Sequence, residues 1–275
     1  ATGRGIDHDK AVEVFDLMAK FADYGFNKSH AAAYAFVSYQ TAWMKANHPV
    51  AFLAACMSLA RERTEKLAAL RQEAERMGIA VLPPDINRSE ADFAVEVMPD
   101  GQHAIRYALA AVKKVGFGAM EVLVATRGDK PFTDLADFAT RIDPKHINRM
   151  QMENLAKAGA FECLDKNRAR VFHSADAILR RAHSQAQEAA SGQIGLFGGG
   201  GEKEPLRLAD GPDWPEFEKL AMEADAIGFH MTAHPLDAYG PVLRWPGVVK
   251  SSQLPAPAEA GAGRGKSAGC RVGRQ

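Results

Sequence analysis

VKKVGFGAMEVLVA, running from Val112 to Ala125, is the stretch on which the reading of the fold turns. It has the form helix, Gly116-Phe117-Gly118, helix, the pattern of a helix-hairpin-helix. Glycines carry no side chain, so such a turn lets backbone amides at the start of the second helix come close to a phosphate. Contact of that kind holds a nucleic-acid backbone without reading its bases. Lys113 and Lys114 flank the turn and add charge. The same spacing also fits a tight helical corner with packing value only. A second unit of similar form follows: a helix over Ile147 to Leu155, the turn Lys157-Ala158-Gly159-Ala160, and a helix from Arg168. Lys145, Arg149, Lys157, Lys166, Arg168 and Arg170 give this stretch local positive charge, some of it expected on solvated helix faces.

Working outward, the pattern stays mainly helical. Val12, Phe15, Leu17, Met18 and Phe21 recur at helical spacing between Lys10 and Ala22. A helix from about Ser29 to Ala46 carries Tyr34, Phe36, Val37, Tyr39, Trp43 and Met44 nearly all round, which predicts burial in a larger body. His48-Pro49 ends it, Val50 to Leu59 reads as a second buried helix, and Glu65 to Met77 as an amphipathic one closed by Gly78. Ala80 to Leu82 is a short apolar strand halted by Pro83-Pro84. Phe93 to Val97 and His103 to Tyr107 alternate around Pro99-Asp100-Gly101-Gln102, a β-hairpin signal. Short glycine-broken helices fill Leu109 to His183, and a last helix is expected from Pro215 to Ala226. Gly198 to Gly201 reads as a tether, and the Pro, Ala, Gly and Ser-rich stretch beyond Pro241 as linker or disorder.

The block Tyr24-Gly25-Phe26-Asn27-Lys28-Ser29-His30 places anion-seeking side chains before a helix. Ser29 or Asn27 can cap that helix, Lys28 supplies a cation and His30 a titratable donor, so a triphosphate could be gripped from side chain and main chain together. An ordinary capped helix fits the same spacing. Composition sets broad limits. The 275 residues are 47% hydrophobic, enough for one large or two modest globular units. Lys plus Arg and Asp plus Glu both number 34, so any nucleic-acid surface rests on local clustering, and a histone-like binder is disfavoured. Cys56, Cys163 and Cys270 lie far apart without CxxC spacing, which disfavours a zinc module and a disulfide framework. Without a membrane-length apolar run or signal peptide, the chain reads as soluble and cytoplasmic. Its non-Met start and its glycine and arginine-rich ending look like those of a piece of something longer.

Several stretches, in order, resemble one family. Tyr24 to Pro49 (YGFNKSHAAAYAFVSYQTAWMKANHP), LPPDIN at Leu82 to Asn87, the Gly116 hairpin, NRMQMENLAKAGAF at Asn148 to Phe161, QIGLF at Gln193 to Phe197 and GFHMTAHPLDAY at Gly228 to Tyr239 closely resemble the alpha subunits of bacterial DNA polymerase III, the C-family replicative polymerases. The resemblance implies a mainly α fold: the C-terminal part of the polymerase fingers over residues 1–107, with a small β-hairpin insert; a clamp-binding domain with tandem helix-hairpin-helix units over 108–240; and over 241–275 a flexible tail, the linker and truncated start of an OB-fold. It further implies that Asn27, Lys28, Ser29 and His30 face the incoming deoxynucleoside triphosphate. Lys113, Lys114, Gly116, Gly118, Lys157, Gly159 and Arg168 would hold the backbone of double-stranded primer-template DNA. The family commonly has a third glycine where this chain has Lys114, and a polar residue where it has Phe117. Gln193, Ile194, Gly195, Leu196 and Phe197 fit the QxxLF pattern of peptides that bind the bacterial sliding clamp, the beta subunit, although a loop anchor would have the same composition.

The family's catalytic aspartates lie in a palm upstream, so no catalytic residue, metal site or cofactor is expected here. Mg2+ belongs to the palm of the parent, a DNA-directed DNA polymerase active in DNA replication, and this fragment alone is expected to be inactive. Other replicase subunits are further expected partners, and a membrane is not. Asp7-His8-Asp9 reads as a helix cap in preference to a metal site. The other function class that fits is a non-catalytic DNA-binding adaptor that recruits the clamp; a purely structural helical protein is the third.

Overall fold

The computed structural model describes residues 2–22, 28–191 and 205–240. It is mainly helical, as the periodicity predicts. Helices α1 (His8–Ala22), α2 (Lys28–Asn47), α3 (Pro49–Leu59) and α4 (Thr64–Arg76) come first. Strands β1 (Val81–Leu82), β2 (Ala94–Val97) and β3 (His103–Arg106) form one small sheet. Then follow α5 (Phe117–Arg127), α6 (Leu135–Arg141), α7 (Arg149–Lys157), α8 (Arg168–His173), α9 (Ala175–Ser191) and α10 (Glu216–Ile227).

Local chemistry accounts for most boundaries. Pro49 stands at the first turn of α3, where its missing N–H is of no consequence. Gly78, at φ 73°, lets the chain leave α4. The predicted hairpin is present: β2 and β3 pair antiparallel with Val95 opposite Ile105, and Gly101 takes a φ of 82° in the turn. The apolar Ala80 to Leu82 segment joins it from the other side, β1 running parallel to β3 so that the order is β1-β3-β2. Asp134, Asn148 and Asn167 cap α6, α7 and α8 through their side chains, with Gln151 completing a capping box at α7.

One expectation is corrected. The segment before the Gly116 turn is no α-helix. It is a single 3-10 turn, Leu109–Ala111, bounded by extended backbone at Ala108 and Val112. Its amides are engaged elsewhere: Leu109 N–H donates to the Glu90 carbonyl, Ala110 N–H to Ala91, and Lys113 N–H to Ala226, which leaves no room for an i to i−4 ladder. The apolar face of α2 is not covered by the described residues: Tyr34, Phe36, Tyr39 and Trp43 are exposed, although Lys45 reaches Glu73 on α4 at 2.6 Å.

The core runs without a seam across position 107. Tyr107 is buried edge-on to Phe93, with ring centroids 4.8 Å apart, and also meets Phe229. Phe132, Phe138 and Phe161 form a second aromatic chain. Arg127 of α5 donates to the carbonyls of Ile86 and Ser89, and Ile86 N–H donates to Ala160. The LPPDIN segment is therefore the joint between the sheet and the later helices, and it holds the Gly116 turn against both.

Candidate nucleic-acid interface

The Gly116 turn presents an open helix start. Gly116 is the N-cap of α5, in extended conformation, and no side chain caps the helix. The amides of Phe117, Gly118 and Ala119 begin the helix and so have no intrahelical acceptor. Neighbouring α6, α7 and α8 each satisfy such amides with their own Asp or Asn. At Gly118, which is exposed, a β-carbon would meet nothing within 4 Å. A β-carbon at Gly116 would lie 3.7 Å from Nε2 of Gln151, an ordinary contact.

The charges around this turn come from three parts of the chain. Lys113 and Lys114 are exposed beside it. Phe117 is half-buried under the Arg61 guanidinium, 4.3 Å from the ring centroid, and Arg61 also pairs with Asp92 at 2.8 Å. Arg61 was not among the site residues read from sequence, because nothing in the local pattern after α3 marks it. Its place at Phe117 comes only from the tertiary fold, which sets the end of α3 against the sheet and the start of α5.

The second hairpin is built differently. Gly159 has φ 79° and is buried, and a β-carbon there would stand 2.6 Å from the Arg168 guanidinium. Arg168 itself has left the surface. Its side chain is 6% exposed and bonds Glu162 at 2.6 Å, Glu223 at 3.3 Å and the Lys157 carbonyl. A phosphate cannot reach it without breaking that network, so Arg168 and Gly159 are structural partners. Lys157 is half-buried, with its ammonium 2.8 Å from Asp225 and 5.6 Å from the centroid of Phe172. Asp225 is held below the usual carboxylate range foremost by this hydrogen bond, with Lys113 and Lys114 adding to it.

The other predicted sites are placed less fully. Lys28 is the first residue of α2; Ser29 and His30 follow on its exposed first turn, and the His30 ring lies 4.5 Å from that of Tyr34. Asn27 and the whole of Gln193, Ile194, Gly195, Leu196 and Phe197 lie outside the described residues. Asp7 caps α1, accepting from the amides of Asp9 and Lys10, as the alternative to a metal site requires. Among the described residues no three His, Cys, Asp or Glu side chains gather as a metal site, and no helix is long and apolar enough to cross a membrane.

The geometry defines a mainly helical protein with an uncapped, lysine-flanked glycine turn at the start of α5. Comparison with known proteins agrees: a family described as "Helix-hairpin-helix motif" matches residues 78–171. The chain is homologous to a segment of the DNA polymerase III alpha subunits. It is 47% identical to that of Caulobacter vibrioides over 95% of its own length and 23% of the relative's. For Neisseria meningitidis serogroup A the identity is 43%, over 92% of this chain and 22% of the relative. For Escherichia coli K12 it is 41%, over 87% and 21%. The chain thus spans under a quarter of the length of these relatives.

Proposed function

We propose that this chain is the duplex-holding and clamp-tethering part of a replicative DNA polymerase, in which the complete protein performs template-directed deoxynucleotidyl transfer. The observation that carries this reading is the α5 start: Gly116 as a bare N-cap, open space at Gly118, and Lys113, Lys114 and Arg61 beside it. Unpaired amides at the positive end of a helix attract a phosphate, and the cations displace counter-ions from the duplex. No base edge is read, which suits an enzyme that must slide over every sequence.

The remaining roles follow from homology to the alpha subunits. Asn27, Lys28, Ser29 and His30 would meet the incoming triphosphate opposite a palm, and Mg2+ would act in that palm. Gln193 to Phe197, after α9, would bind the sliding clamp, Leu196 and Phe197 each burying a side chain worth roughly 1.5–3 kcal/mol.

Duplex binding is tested by fluorescence anisotropy across a salt series. Affinity is expected to be independent of sequence, and Lys113→Ala should flatten the slope of log affinity against log salt by about 0.9. No duplex binding at low salt would refute the reading. Leu196→Ala combined with Phe197→Ala should abolish binding to the clamp in a calorimetric titration while duplex affinity is unchanged; an unaltered clamp titration would remove the tether from the proposal.

A further inference from the structure

Lysines from two separate motifs meet at the C-terminal end of α10. Lys157, the last residue of α7, bonds Asp225 at 2.8 Å. One residue further on, the Ala226 carbonyl accepts from the Lys113 amide at 2.8 Å, which pins the Gly116 hairpin to the same helix end. The Lys113 side chain then runs past Gly228, where a β-carbon would lie 3.2 Å from its Cε. Asp225 is therefore a carboxylate paired with Lys157 and within the field of Lys113 and Lys114, and its side chain is 65% exposed. The last carbonyls of α10 add negative partial charge at this point. With Asp225 this exposed, the pair adds only modestly to folding stability. A negative charge inside a surface that meets a polyanion weakens that surface directly.

We infer that Asp225 is the internal counter-ion of the duplex interface, holding Lys157 beside the hairpin lysines and surrendering it to a backbone phosphate when DNA docks. The inference rests on the duplex-binding reading above. Asp225 thereby limits how tightly the duplex is held, and it keeps the lysine of the second hairpin aligned with the first. For a protein that must let DNA pass, a counter-charge that re-forms its pair on release keeps each phosphate contact exchangeable.

The test uses the full chain and a short fluorescein-labelled duplex, with wild type, Asp225→Asn, Lys157→Met and the double variant measured over a salt series. Thermal melts confirm folding, and Asp225→Ala serves as a second variant. Asp225→Asn is expected to bind about tenfold more tightly at about 50 mM salt and to steepen the salt slope by about 0.9, the signature of one more phosphate contact. In the Lys157→Met background most of that gain should vanish. If wild type binds and Asp225→Asn binds equally or more weakly, the inference is overturned while the duplex reading stands. An equal gain with and without Lys157 also overturns it, since a general change of net charge would then suffice. If wild type itself fails to bind at low salt, the duplex reading falls first.

Discussion

Lys114 sits in a backbone conformation that lysine adopts at a cost. Its φ is 63°, the one left-handed non-glycine residue among those described, and it stands just ahead of the Gly116 cap. For a residue with a β-carbon this conformation costs about 1–2 kcal/mol, whereas glycine enters it freely. Glycine in turn gives the unfolded chain more freedom, which offsets part of the gain. Lys114→Gly should therefore raise unfolding free energy by about 0.5–1 kcal/mol in urea titrations. The same change removes a cation, so duplex affinity should fall as stability rises. Opposite signs would separate the two roles of this position, and a fall in both would sink the backbone argument. At this scale the sequence is only partly legible. The glycine pair marks the turn, but neither Gly116, at φ −78°, nor helical Gly118 takes the left-handed conformation. The left-handed backbone belongs to a lysine, and no local pattern distinguishes it.

Among the elements, α10 does the joining. Glu223 is fully buried and accepts from the amides of Met231 and Thr232, from the Thr232 hydroxyl at 2.8 Å, and from Arg168 at 3.3 Å. It thus fastens the GFHMTAHP segment and the second hairpin to one helix. Gly228, at φ 104°, closes α10 where any side chain would overlap the Thr64 methyl. Glu223→Ala takes away the acceptor of the Met231 and Thr232 amides and leaves Arg168 with Glu162 as its remaining carboxylate, so it should cost about 3–5 kcal/mol by equilibrium unfolding. A loss below about 1 kcal/mol would mean that Glu162 and water satisfy the groups that Glu223 now holds. The helix itself is expected from sequence over Pro215 to Ala226, and it spans Glu216–Ile227. Its burial of a glutamate is not legible there, because acidic side chains enter cores only when paired, and the partner Arg168 lies 55 residues away in the chain. The same distance misleads in the other direction: Arg168 reads as a surface cation in a basic stretch, and only the fold turns it inward.

Taken whole, the molecule shows why balanced composition says little about function. Its cations and carboxylates are equal in number, yet they are distributed as pairs that tie elements together: Lys45 with Glu73 between α2 and α4, Arg106 with Glu96 across β3 and β2, Lys157 with Asp225 between α7 and α10. Helical periodicity and the β-hairpin were legible because both rest on local spacing. These pairings, and the continuity of the core across position 107, were not, because each is a contact between distant segments. They carry a consequence for acid stability. Hydrogen bonding to Lys45 lowers Glu73, to Arg106 lowers Glu96, and to Lys157 lowers Asp225 below their ordinary values. A carboxylate whose folded pKa is depressed contributes stability that is fully present above its unfolded pKa and is lost as pH falls through the folded value. Melting temperature should then be nearly flat from about pH 8 to 6 and fall steadily below about pH 4 to 5, where unfolded carboxylates begin to take up protons first. Glu96 provides the sharpest check, since its side chain is largely buried against Arg106. Glu96→Gln should melt below wild type at neutral pH, and the two curves should converge as acid protonates the native carboxylate. Calorimetric curves that stay parallel down to low pH would show that Glu96 contributes through packing alone and that the acid transition belongs to other groups.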